Sequence, residues 1–330
     1  TIPASAAGAL PALTDPGPGL ETTYALRSDD GDIVLRPGVE AELGGKHVEL
    51  VANAFDVAGL AAEQIDVASL DIGGVAGLRV TDALLAPFGF ANDATSRTTL
   101  RAGVDQVGTL SFASGTTVAS DEEIRLVAGD GVGGNVTSLI SLPGATFRKR
   151  SAGLESQAPD RFVLEQDAGF TSSQVPTAAR FGNGDGTATP DILGLRSLDG
   201  AILLSSVPTG VAQSKLVLAG PVVSIERSNG DVNLDSSNVG AVLDVRADQI
   251  TLRARNTGSQ TAQVLPGDAR FAGHDTAEGG VDEGDLDVAV TPGGAAPGDP
   301  LGVAPAELTI RQDADLVASL HTPDRARYAG

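Results

Sequence analysis

Short apolar segments, each introduced by turn residues, recur through 192–254, and this recurrence constrains the fold more than any other feature. Arg196-Ser197-Leu198-Asp199-Gly200 leads into Ala201-Ile202-Leu203-Leu204, and Lys215-Leu216-Val217-Leu218-Ala219 follows. Val222-Val223-Ser224-Ile225-Glu226 comes next, then Arg227-Ser228-Asn229-Gly230-Asp231-Val232-Asn233-Leu234, and last Gln249-Ile250-Thr251-Leu252-Arg253-Ala254. Turn chemistry followed by period-2 apolar residues marks a strand, and repetition at short intervals marks a solenoid.

The same phrase occurs near the start of the chain. Arg27-Ser28-Asp29-Asp30-Gly31-Asp32-Ile33-Val34-Leu35 is answered by His47-Val48-Glu49-Leu50-Val51-Ala52. Ile33 and Val48 lie 15 residues apart, Ile202 and Leu216 14, and Val232 and Ile250 18. A third phrase pairs Phe162-Val163-Leu164-Glu165-Gln166-Asp167-Ala168 with Leu308-Thr309-Ile310-Arg311-Gln312-Asp313-Ala314. Look-alike segments far apart in one chain argue for stacked copies of one supersecondary unit, each burying its apolar face on a neighbour.

Composition suits that reading. Aromatic residues are only 3% of the chain, with no Trp, so the core must be built from Val, Leu, Ile and Ala in thin layers. The 42 glycines among 330 residues are nearly twice the usual share of about 7%, as a fold that turns every few residues requires. Every window long enough for a stable helix is interrupted by Gly or β-branched residues, leaving at most one short helix near 57–64. Connections longer than two-residue hairpin turns favour parallel pairing.

These patterns divide the chain into a Pro/Gly-rich leader at 1–22, a β-solenoid at 23–255, a Gly/Pro/acidic insertion at 256–306, and terminal strands with a tail at 307–330. Further loop insertions are expected near 86–99, 143–160 and 171–191. The fold class is thus all-β, a right-handed parallel β-helix with loop insertions. Roughly a dozen coils at about 4.8 Å each predict a rod about 60 Å long.

Segments such as Gly31–Leu35, Val48–Ala52, Ile65–Ala68, Gly230–Leu234 and Ile250–Ala254 resemble the repeats of filamentous-haemagglutinin-type adhesins. The resemblance covers about half the chain in scattered pieces. The Asn-Pro-Asn-Leu type of secretion motif that such proteins carry near their N-terminus is not found. What the resemblance implies is a parallel β-helix displayed at a bacterial surface or secreted.

Charge narrows the partners. With 43 acidic against 22 basic residues the formal charge is −21, which repels nucleic-acid phosphates and anionic lipid. No apolar run reaches 18 residues, so no transmembrane helix is expected. Without cysteine there are no disulfides and no thiolate metal sites. The chain opens at Thr1 and contains no Met, which reads as a processed product or an excerpt of something longer.

Phe181-Gly182-Asn183-Gly184-Asp185-Gly186-Thr187-Ala188-Thr189-Pro190-Asp191 is the sharpest local motif, similar to the centre of a dockerin or EF-hand calcium loop. It departs from that pattern at both ends: Phe181 stands where the first Asp belongs, and Asp191 falls one residue short of the closing acid. A Gly-rich turn is the plainer reading. If calcium binds, Asn183, Asp185 and Asp191 are its oxygen donors, and no other cofactor is implied. The acidic tract at 275–287 (Asp275, Glu278, Asp282, Glu283, Asp285, Asp287) lacks fixed ligand spacing and reads as a solvated loop.

Enzyme chemistry has little to stand on. Glycoside hydrolysis needs two carboxylates roughly 5–10 Å apart, a spacing that any acidic stack of strands offers by coincidence. His47, His274 and His321 are widely separated and have no nucleophile beside them. Arg148-Lys149-Arg150 is the only basic cluster: a processing site, a docking point for an acidic neighbour or, more plainly, a corner pairing with Glu155 or Asp160. The expectation is therefore a non-enzymatic adhesin or structural shaft. Its partners would be surface proteins or glycans, or its own copies end to end; a polysaccharide-degrading enzyme is the alternative from another class.

Overall fold

Strand after strand returns to one long sheet. The computed structural model describes residues 23–104, 106–129, 137–256, 262–265, 267–272, 307–312 and 327–328. Eleven of its strands form a single sheet, ordered as they occur in the chain and paired in parallel throughout. They are Thr23–Arg27, His47–Ala52, Ser69–Gly74, Arg97–Ala102, Glu123–Ala128, Arg161–Gln166, Ile192–Ser197, Lys215–Ala219, Val242–Arg246, Arg270–Ala272 and Arg327–Tyr328. The fold is all-β: the three α-helices among the described residues, Glu40–Leu43, Asp82–Leu85 and Ser236–Val239, are single turns.

The register fixes what each face carries. Leu26, Leu50, Ile72, Leu100, Leu126, Leu164, Leu195, Leu218, Val245 and Phe271 stand in one column, each paired with the next strand's member. From Leu50 onward all of them are buried. A second inward column runs Val48, Leu70, Thr98, Ile124, Phe162, Leu193, Leu216 and Leu243. Its one polar member, Thr98, is satisfied in the core by a 2.6 Å hydrogen bond with Ser120. Where the chain leaves the sheet, Gln166 Nε2 donates to Gly169 O (2.7 Å) while Oε1 accepts from Ile140 N (2.9 Å), joining one turn to the strand beside it.

Strands that follow the long-sheet strands pair with one another. Phe170–Thr171, Ala201–Leu204, Val222–Arg227, Gln249–Asn256 and Glu307–Gln312 form one parallel row, and Leu78–Val80, Thr109–Phe112 and Leu139–Ser141 another. Strands that precede the long sheet also pair in parallel: Ile65–Val67 with Phe88–Phe90, Thr117–Ala119 with Thr146–Arg148, and Val232–Asn233 with Val264–Leu265. Asn229–Gly230 against Gln249–Asn256 is the one antiparallel pairing among the described residues. Phe112, Phe147, Phe162 and Phe181 meet in the interior, with ring centroids 4.5–6.3 Å apart.

Several expectations need correction. Residues 57–64 hold turns, not a helix: Gly59 (φ 92°) and Glu63 (φ 54°) are both left-handed, which a right-handed helix cannot include. Residues 86–99 are not a loop insertion, because Phe88–Phe90 is a strand and Arg97 begins another. Pro87 and Gly89 looked like breakers, but Gly89 faces Asp66 so closely that a Cβ would lie 2.3 Å from its Oδ1. Within 143–160, Thr146–Arg148 is a strand with Phe147 wholly buried. Of the insertion expected at 171–191, Thr171 closes the strand Phe170–Thr171, Ser172–Gln174 and Ala178–Arg180 are 3-10 turns, and the remainder is without regular strands. The long sheet runs past 255, since Arg270–Ala272 pairs with Val242–Arg246. The 1–22 leader and the 275–287 acidic tract lie outside the described residues.

One outcome follows from the packing. Leu195→Ala, at a wholly buried position, should cost about 2–5 kcal/mol in urea unfolding, against less than about 0.5 kcal/mol for Leu203→Ala, which is 52% exposed. Equal losses at the two positions would contradict the assigned register.

Candidate functional site

The Gly-rich loop at 181–191 is anchored by its first residue. Phe181 is wholly buried, bridges to Phe147 and packs against Phe162, which explains an apolar residue where a calcium loop would carry its first ligand. The next turn is equally tight: Gly182 has φ 59°, and a Cβ there would sit 2.1 Å from Ser156 O. Asn183 Oδ1 then accepts from Asp185 N (3.2 Å), and Asp185 Oδ1 accepts from Thr187 N (2.8 Å) and Thr187 Oγ1 (2.6 Å). Those bonds hold the exposed Asp185 carboxyl below its ordinary range.

Asp185 and Asp191 line one polar cleft of about 560 Å³ together with Lys149, Asp160 and Gln213; Asn183 is not part of its lining. Lys149 Nζ is 2.6 Å from Asp160 Oδ1, one of the two pairings expected of the basic triplet. Burial raises the Asp191 carboxyl above its ordinary value, the Asp160 charge adds to this, and Lys149 partly opposes it. Among the described residues no group of three or more His, Asp or Glu is placed to hold a metal ion. Asn183 Oδ1 and Asp185 Oδ1, two of the oxygens calcium would use in this loop, are already used to shape it.

What sequence reading missed is the other face of the long sheet. Its alternate positions carry charges that pair along the stack: Asp71 with Arg101, Arg161 with Glu123 (3.6 Å), and Glu165 with both Arg125 (2.8 Å) and Arg196 (3.5 Å), while Arg97 pairs with Glu122 just before the next strand. Lys215 Nζ lies 3.0 Å from Asp244 Oδ2 with both side chains 1% exposed, and Arg246 Nη2 is 3.2 Å from the same oxygen. Burial pushes Lys215 down, with Asp244 opposing. Burial alone would raise Asp244, but Lys215 and Arg246 together hold it below its ordinary value. Only the period-2 placement of Lys215, Asp244 and Arg246 on neighbouring strands could have hinted at this, and it requires the register first.

The remaining basic residues part company. Arg150 pairs with Glu63 (2.5 Å) and Asp93 (3.0 Å) and sits over the Phe90 ring at 5.4 Å. Arg148 points into a separate cleft of about 260 Å³. His47 Nδ1 is hydrogen-bonded to Ser69 Oγ, a ladder contact between neighbouring strands. Compared with known proteins, the chain matches no family model, no curated protein and no solved structure.

Three outcomes follow. Asp244→Ala strands buried cations and should cost about 3–5 kcal/mol, part of which the double replacement Lys215→Met/Asp244→Leu recovers. Because the folded Asp244 carboxyl lies below its unfolded value, its contribution is present above the ordinary Asp pKa of about 3.9 and is lost as pH falls through the folded value, so Asp244→Asn should flatten the acid limb of the stability curve. Asp191 has the opposite sign. Its raised carboxyl opposes folding once ionised, so Asp191→Asn should raise the urea midpoint at neutral pH and leave it unchanged in acid.

Proposed function

We propose that the chain winds as a right-handed parallel β-helix and serves, without catalysis, as the shaft of an adhesin at a bacterial surface or in the extracellular space. The observation that carries this reading is the unbroken apolar column from Leu50 to Phe271, built by strands that return to one parallel sheet in chain order. Parallel strand-crossover-strand connections are right-handed in nearly all known cases, which supports the hand. Strands at about 4.8 Å spacing make eleven of them a body about 50 Å long. A stiff stack of this kind separates what it is attached to from what its loops touch. Partners are then surface proteins or glycans met by the irregular segments at 149–160 and 172–191.

In the polar cleft Lys149 engages Asp160 and Asp185 is tied to Thr187, which supports a reading without turnover, while the raised Asp191 carboxyl is the group there that an enzyme could use. Calcium at Asn183, Asp185 and Asp191 belongs to this proposal only as a loop stabiliser. Asp185→Ala should lower the melting temperature equally in calcium and in chelator if Asp185 acts through Thr187 alone; a calcium-dependent difference would assign it to the ion.

A second reading is favoured by the sheet edge. Thr23–Arg27 pairs on one side only among the described residues, and an open parallel edge invites another copy. The chain would then be a subunit of a fibre, sheath or larger surface complex. Small-angle scattering, sedimentation at several concentrations and reducing-sugar release from a polysaccharide panel test the three readings together. An elongated monomer that retains immobilised glycans and releases no sugar is the expected result. Concentration-dependent end-to-end growth selects the fibre, and sugar release overturns the non-catalytic reading.

A further inference from the structure

The cleft of about 260 Å³ between 62–90 and 117–150 carries an arginine with nothing to bind. Arg148 lines it from the strand Thr146–Arg148, and its guanidinium has no carboxylate within 4 Å and no hydrogen-bond acceptor among the described residues. Its Nε is moreover out of solvent. A ligand in the cleft would therefore meet the two Nη groups, which no described acceptor engages and which are not closed off from solvent. The chain has nearly two acids for each base, so an acceptor was easily supplied. Arg150, two residues on, has both Glu63 and Asp93.

The rest of the lining defines what would fill the gap. Leu85 and Phe90, both partly buried, give it an apolar wall, and Glu63 and Asp82 add carboxylates. Asp82 Oδ1 already accepts from Thr117 N at 2.9 Å. Arg150 lines the cleft as well, but Glu63 and Asp93 engage its charge, so Arg148 is left to answer one negative charge and Asp82 disfavours a dianion or polyanion. A ligand with a single carboxylate and several hydroxyl groups is not so disfavoured, because its anion answers Arg148 while its hydroxyls donate to carboxylate oxygens. Its size is bounded too, since the volume falls below that of pockets for drug-sized ligands and suits one ring.

We propose that this cleft binds an acidic sugar of the uronic-acid class, with the carboxylate on Arg148 and the ring against Leu85 and Phe90. As a biological assignment this rests on the reading of the molecule as a contact-making shaft, for which it names a ligand class. The binding itself is independent of the shape of the whole.

Isothermal titration and two-dimensional NMR of the full chain with methyl glucuronide, methyl glucoside and acetate test the assignment. Saturable binding of the glucuronide is expected, with resonance shifts at Phe90, Thr117 and Arg148, weakening in salt, and a loss of roughly tenfold or more in Arg148→Gln. Equal binding of the glucoside, equal binding of acetate, or no saturable glucuronide binding by the wild type would each overturn it. These three readings use the wild-type chain and do not depend on the variant folding. Scattering from the same sample reads the elongated shape separately, so a compact particle that still binds glucuronide refutes the shaft and spares the site.

Discussion

A column of branched aliphatic side chains, each resting on the next strand's equivalent, is what the rest of this structure depends on. Leu50, Ile72, Leu100, Leu126, Leu164, Leu195 and Leu218 are in register across neighbouring parallel strands and are removed from water. Burying each contributes about 1.5–3 kcal/mol, a sum needed against the entropy of ordering so many turns. No single strand could hide its own Leu. Stability therefore comes from repetition, and each strand is as secure as the pair that flanks it.

The same stack needs protection against sliding, since slipping by one residue would exchange the two faces of a strand. Here such a slip would bring Glu165, Arg196 or Lys215 into the aliphatic interior. It would also break the pairings of Glu165 with Arg125 and Arg196 and of Asp244 with Lys215 and Arg246. Buried ion pairs add little net stability compared with well-packed apolar residues, because desolvation consumes most of their attraction. Their physical value lies in the cost of the alternative: a shifted strand leaves bare charges where the correct one has partners.

Much of this was legible in the chain because the signals are local. Period-2 alternation with Gly, Asn and Asp turns is written into 27–35, 47–52 and 192–254, and the apolar runs of those segments are strands joined by turns. Register was not legible. The phrases at 162–168 and 308–314 look alike, yet Arg161–Gln166 lies in the long sheet and Glu307–Gln312 pairs with Gln249–Asn256 in another row. The Arg-Ser-turn-Gly phrases at 27–31 and 196–200 follow long-sheet strands, whereas that at 227–230 follows Val222–Arg227 of the second row. Similar turns were reused at different corners, and composition alone cannot tell corners apart. The candidate loop was legible as a glycine turn; that Phe181 is its core anchor required the bridge to Phe147.

The charge ledger also has spatial structure. Much of the positive charge is spent internally: Arg36 on Asp56, Arg101 on Asp71, Arg125 and Arg196 on Glu165, Lys149 on Asp160, Lys215 and Arg246 on Asp244. The excess of 43 acids over 22 bases nevertheless leaves a formal charge of −21 that such pairing cannot cancel. Coulomb repulsion between such surfaces is screened beyond about 8 Å at physiological ionic strength, so copies feel it only near contact. Recognition at close range must then come from hydroxyl-bearing or cationic partners, or from the few places where a cation was left unspent. Arg148 is such a place, set beside Phe90 in a cleft that the stacking of strands makes rigid. A site of this kind owes its geometry to the aliphatic column behind it, which fixes Phe147 in the core and so fixes the direction of the residue that follows.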